Sequence, residues 1–123
     1  MTGINILIAD LKADCEWLTQ ADLPDAAGYR EDTADMLDAT LTLQARIIES
    51  LQLPPDQYPE RLLHDLRSPL NVIIGYAQMI AYDADLTETV RQTAERIYVD
   101  GDKLANTLTA VFGQVPTGSD VIY

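Results

Sequence analysis

The chain has 123 residues, enough for one domain with a real core and too few for a second full-sized catalytic domain beside it. A hydrophobic fraction of 47% with 23% charged residues is the composition of a folding globular chain rather than a disordered one. Twenty acidic against eight basic residues leave a net charge of −12, spread through both halves, which opposes binding to nucleic acid or to anionic lipid.

A single cysteine, Cys15, excludes an internal disulfide, and with one histidine the Cys/His ligands of a structural zinc site are missing. A reducing cytoplasm is the expected location. The first ten residues lack the basic start and long apolar core of a signal peptide, and no stretch approaches ~18 apolar residues, so no membrane span is expected.

Proline, glycine and short acidic clusters divide the chain into four segments, with no repeat or low-complexity tract. In the first, Ile4, Ile8, Leu11, Cys15 and Leu18 alternate by four and three residues, the stripe of an amphipathic helix that ends before Leu23-Pro24-Asp25. The second follows Gly28 with Ala34, Leu37, Leu41, Gln44, Ile48 and Leu51, and stops at Leu53-Pro54-Pro55.

The third is expected to start between Asp56 and Pro59, where Asp can cap and Pro can occupy a first turn, and runs through Leu63, Leu66, Leu70, Ile73, Ala77 and Ile80. A link around Asp83 to Thr87 follows, with Asp85 and Glu88 spaced as an N-terminal cap. The fourth has a strict seven-residue repeat of Val90, Ala94, Ile97, Gly101, Leu104, Leu108 and Val111, the seam of helices packed nearly parallel. Gly113 and Pro116 end it and leave a flexible tail over 114–123.

The expected class is therefore all-α, with an N-terminal helical region over 1–55 and a helical hairpin over 56–113. The third and fourth helices form an antiparallel hairpin. Whether the first two helices complete a four-helix bundle, or two chains pool their hairpins, stays open at this level. Tyr76 and Met79 are expected to pack rather than bind, and Trp17 to be a core or interface anchor.

The one histidine, His64, lies in the run Arg61-Leu-Leu-His-Asp-Leu-Arg-Ser-Pro-Leu-Asn-Val-Ile-Ile-Gly-Tyr76. On one helix it falls beside the stripe with its ring toward solvent, Arg67 at i+3, Ser68 at i+4 and Asn71 at i+7. A neutral imidazole is a nucleophile near neutral pH, and a neighbouring carboxylate such as Asp65 can orient it or take its proton. An anion arriving there would meet Arg67 and Arg61. Pro69 removes one amide donor and crowds the carbonyl of Asp65, at a typical cost of ~3 kcal/mol in a helix interior, so a bend is expected beside His64. A rival local reading makes Ser68 a cap and Pro69 the start of a new helix; the kinked helix is preferred because the stripe crosses Pro69 without changing phase. Folding the hairpin about its link puts His64 opposite Ala105, which makes Lys103 and Asn106 candidates to face it. By itself, a lone histidine of this kind is more often an ordinary edge residue than a catalyst.

The order of residues goes further. Leu63-His64-Asp65-Leu66-Arg67-Ser68-Pro69-Leu70, followed by Ile74-Gly75-Tyr76, resembles the phosphoacceptor H-box of sensor histidine kinases, and the resemblance covers about residues 58–112. It implies a hairpin that dimerises into a four-helix bundle. It also implies His64 as phosphoacceptor, Asp65 as the acid that assists phosphoryl transfer, Ser68 as the position that helps a water attack a phosphorylated partner, and Pro69 as the helix bend over Leu66 and Leu70. Leu63 departs from the family's small hydroxyl residue, and Ser68 from its commoner threonine or asparagine. Residues 1–55 have no counterpart, and the asparagine and glycine-rich boxes of the family's ATP-binding domain do not occur, so self-phosphorylation from ATP is not expected.

Three functions are compatible with this reading. The chain is a stand-alone histidine phosphotransfer protein of a phosphorelay, a non-catalytic adaptor or inhibitor with the same fold, or the regulatory subunit of a split kinase. The first is favoured because His64, Asp65 and Arg67 are intact. Expected partners are a response-regulator receiver domain, docking along the third and fourth helices around His64, a histidine kinase, and a second copy of the chain. No stably bound cofactor is expected, with Mg confined to the partner receiver.

Overall fold

The computed structural model describes residues 2–23 and 28–113. Four helices follow in order: α1 (Thr2–Gln20), α2 (Tyr29–Leu51), α3 (Leu62–Ala81) and α4 (Glu88–Phe112), with a 3-10 turn over Pro55–Gln57 before α3. No strand occurs among the described residues. The expected flexible tail lies outside them.

Each helix packs on two neighbours, α1 on α2 and α4, and α3 on α2 and α4, so the four close a ring. Cross-links give the directions. Arg46 of α2 bonds Asp65 near the start of α3 while Tyr29, at the other end of α2, bonds Asp83 beyond the end of α3, so α2 and α3 are antiparallel. Gly101 sits against Leu70 and Ile74, and Gly113 against Leu63, which makes α3 and α4 antiparallel too. Asp14 of α1 pairs with Arg96 of α4 at 3.3 Å. The result is a four-helix bundle around one core to which every helix contributes. Of the two routes that the sequence left open, this bundle uses α1 and α2 of the same chain as its second hairpin.

On α1 the expected stripe of Ile4, Ile8, Leu11, Cys15 and Leu18 is buried throughout. The α2 stripe needs correcting by one residue. The buried side chains are Tyr29, Thr33, Met36, Thr40, Leu43, Ile47 and Ser50, whereas Leu41 and Ile48 are 42% and 49% exposed. The hydroxyl residues can face the core because each satisfies itself on the preceding turn: Thr33 donates to the Arg30 carbonyl, Thr40 to that of Met36 and Ser50 to that of Arg46. Thr40 Oγ1 also lies 3.6 Å from Cys15 Sγ, tying α1 to α2. Burial there pushes the Cys15 thiol up to about 11.

Smaller shifts occur at the helix ends. Leu62 takes the buried place expected of Leu63, and Phe112 that of Val111; Leu63 and Val111 are half-buried. Asp56 to Pro59 do not open α3. They form the 3-10 turn and a crossing in which the Tyr58 ring meets Phe112 at 5.1 Å, and α3 begins only at Leu62. The cap of α4 is Thr87, whose hydroxyl accepts from the Val90 amide at 3.3 Å, rather than Asp85, whose amide is itself taken by Asp83 Oδ1 at 2.9 Å. Tyr76 packs against the core as expected, but Met79 stands 56% exposed; Trp17, 42% exposed, is not part of the core.

Candidate functional site around His64

Helix α3 runs unbroken through Pro69, so one continuous helix carries the stripe and the rival cap at Ser68 does not form. Successive residues of a helix point ~100° apart, and those three or four apart share a face. His64 and Ser68 are therefore one turn apart on the outer side of α3, with Arg67 and Asn71 flanking them toward α4. Together with half-buried Leu63 these four side chains line an open cleft of about 340 Å³. His64, Arg67, Ser68 and Asn71 are all exposed, and Leu66 and Leu70 lie fully buried beneath the same helix.

Other expected residues are placed elsewhere. Asp65 lines a second cleft on the α2 side of α3, shared with Arg46, Glu49, Ser50 and Leu62. Arg61 is the N-terminal cap position of α3, without a side-chain cap bond, and does not line the His64 cleft. Lys103 faces outward beside Gln92, Glu95 and Arg96, and neither it nor Asn106 lines the His64 cleft. The reason is register. With Gly101 against Ile74 and Gly113 against Leu63, His64 stands opposite the last turn of α4, more than a turn beyond Ala105. The link thus carries the chain past the end of α3 before α4 turns back.

Chemically the cleft offers a solvent-facing imidazole, a guanidinium, a hydroxyl and a carboxamide on a single rigid helix. That set suits a nucleophile receiving an anionic group whose oxygens are met by hydrogen-bond donors. No group of three or more metal-ligating side chains occurs among the described residues.

Residues 60–111 match the family model of the His Kinase A (phospho-acceptor) domain. The α3–α4 hairpin is thus similar to a His Kinase A domain. No curated protein and no solved structure matches the chain. The match points to two-component signalling and a phospho-acceptor role, and its residues contain the whole His64 cleft. Helices α1 and α2 lie outside the match. Among the described residues no helix is long and apolar enough to cross a membrane.

One residue of this region was not foreseen. Arg46 Nη1 donates to the backbone carbonyl of Asp65 at 3.0 Å, across 19 residues of chain. That Pro69 leaves this carbonyl without its usual amide was legible from the sequence; which side chain fills the gap was not.

Proposed function

We propose that the chain is a stand-alone histidine phosphotransfer protein, exchanging a phosphoryl group between His64 and the aspartate of a receiver domain or a separate kinase. The observation that carries this reading is the cleft itself: His64 exposed on a rigid helix, with Arg67, Ser68 and Asn71 beside it. An unprotonated imidazole nitrogen attacks the phosphorus of the partner's aspartyl phosphate. The N–P bond forms as the P–O bond to the carboxylate breaks, and the carboxylate leaves with that electron pair. Arg67 offsets the charge of the transferring group, and Ser68 and Asn71 hold its oxygens. Any magnesium would sit on the receiver, and the His64 side would need no metal of its own. The closed bundle supports the stand-alone reading, because the helix that bears His64 is held in place by its own chain.

One observation favours the adaptor reading as well. Asp65, which the resemblance casts as the assisting acid, lines the cleft on the α2 side rather than that of His64. Both readings meet in one experiment. The protein is incubated with phosphoramidate, and separately with a panel of receiver domains phosphorylated beforehand, and the product is tested for acid-labile, alkali-stable phosphate. Phosphotransfer predicts label on wild type and none on His64→Gln. Stable receiver binding with no label would establish the adaptor instead.

A further inference from the structure

We infer that Arg46 is a positioning residue for His64, because it supplies from α2 the hydrogen bond that Pro69 removes from α3 at the turn carrying the histidine. In an unbroken helix the carbonyl of residue 65 accepts from the amide of residue 69, and proline has none. Here the Arg46 guanidinium takes that carbonyl at 3.0 Å. The bond is charge-assisted and comes from a planar donor, so it fixes the direction of the carbonyl more tightly than exchanging water does. The residue it holds is the immediate neighbour of His64.

Arg46 is itself set by the core. Ile47 beside it is buried, and Ser50, one turn on, returns its hydroxyl to the Arg46 carbonyl at 2.7 Å. Leu62 and Leu66 of α3 line the same cleft as Arg46 and are buried. The turn that bears His64 is thus bound to α2, which lies outside the His Kinase A match, and a displacement of α2 pulls on the carbonyl beside the imidazole. The clamp stands on geometry alone; its consequence for phosphoryl transfer rests on the phosphoacceptor reading.

Amide hydrogen exchange of the full chain tests the clamp. Arg46→Met keeps the aliphatic stem and removes the donor. Exchange at Arg67, Ser68, Leu70 and Asn71 is expected to quicken roughly two- to tenfold, the effect of losing one hydrogen bond, while Ile97 and Leu104 in α4 keep their rates. Arg46→Lys, with a shorter reach and one usable donor, recovers part of the protection. In a Pro69→Ala background, where residue 69 again has an amide to give, Arg46→Met changes nothing.

Unchanged exchange in α3, an equal rise in all four helices, or the same rise in the Pro69→Ala background would each overturn the clamp. The labelling rate of His64 by phosphoramidate tests the positioning: it falls in Arg46→Met and recovers in Arg46→Lys, and an unaltered rate in Arg46→Met overturns that role. Absence of label on wild type would instead remove the phosphoacceptor reading, and the exchange pattern would still decide the clamp.

Discussion

The phenol of Tyr29 donates to Asp83 Oδ2 at 2.5 Å, joining the start of α2 to the α3–α4 link and coupling two titrations through one bond. The hydrogen bond to Asp83, then burial, pushes the Tyr29 phenol up to about 12, and the same bond, with a second from the Asp85 amide, holds the Asp83 carboxyl below the usual carboxylate range. The signs are opposite. For the raised phenol, the contribution to stability is complete below its unfolded value of ~10 and is lost as pH rises toward 12; for the depressed carboxyl, it is complete above ~4 and is lost as pH falls through the folded value. Tyr29→Phe should therefore melt a few degrees lower than wild type across neutral pH, with the gap closing at both extremes. Thermal melts of the two proteins from acid to pH 11 check this, and a gap independent of pH would show that the bond is not the cause. The contrast with His64 shows what single residues reveal. His64, Arg67, Ser68 and Asn71 were readable as one face because a helix fixes which residues share it. The Tyr29–Asp83 and Arg46–Asp65 bonds were not, because their partners are 54 and 19 residues apart and no local spacing marks them.

Helix α2 is where local pattern and packing disagree. Counting aliphatic residues selects Leu37, Leu41, Ile48 and Leu51, yet the core takes the neighbouring face with Met36, Leu43 and Ile47 and three hydroxyl residues. Threonine and serine pass as polar in a periodicity count, but a hydroxyl bonded to the preceding turn leaves a small side chain free to pack. Substitution separates the two phases. Leu43→Ala should cost about 2–5 kcal/mol, the usual range for a fully buried leucine, while Ile48→Ala should stay within about ±0.5 kcal/mol. Urea unfolding of both variants gives the comparison, and the reverse ranking would return α2 to the phase read from its aliphatics. On α1, α3 and α4 the aliphatic stripe and the buried face coincide apart from the shifts at Leu62 and Phe112. Lys103 lines a different cleft from His64 for a different reason: the register of a hairpin depends on where its link carries the chain, and helical periodicity says nothing about that.

At the scale of the molecule, the closed ring of helices decides how the chain should behave in solution. The buried faces of α3 and α4, with Leu66, Leu70, Ile73 and Ala77 meeting Ala94, Ile97, Leu104 and Leu108, are too large an apolar surface for one hairpin to hide alone. In the resemblance drawn from the sequence, a second chain covers them; here α1 and α2 do, through Ile4, Leu11, Leu18, Met36, Leu43 and Ile47. With the core satisfied and a net charge of −12 opposing self-association, the full chain should sediment as a monomer at micromolar concentration rather than as the homodimer expected from the resemblance. Residues 56–113 alone expose both faces, so this fragment should associate through them, with an apparent mass that rises with concentration toward two copies. Sedimentation equilibrium of the two species tests the argument. A full chain that is dimeric at every concentration would mean that covering the core from within does not stop self-association. A monomeric, folded fragment would mean that α1 and α2 are not what keeps the His64 helix in place.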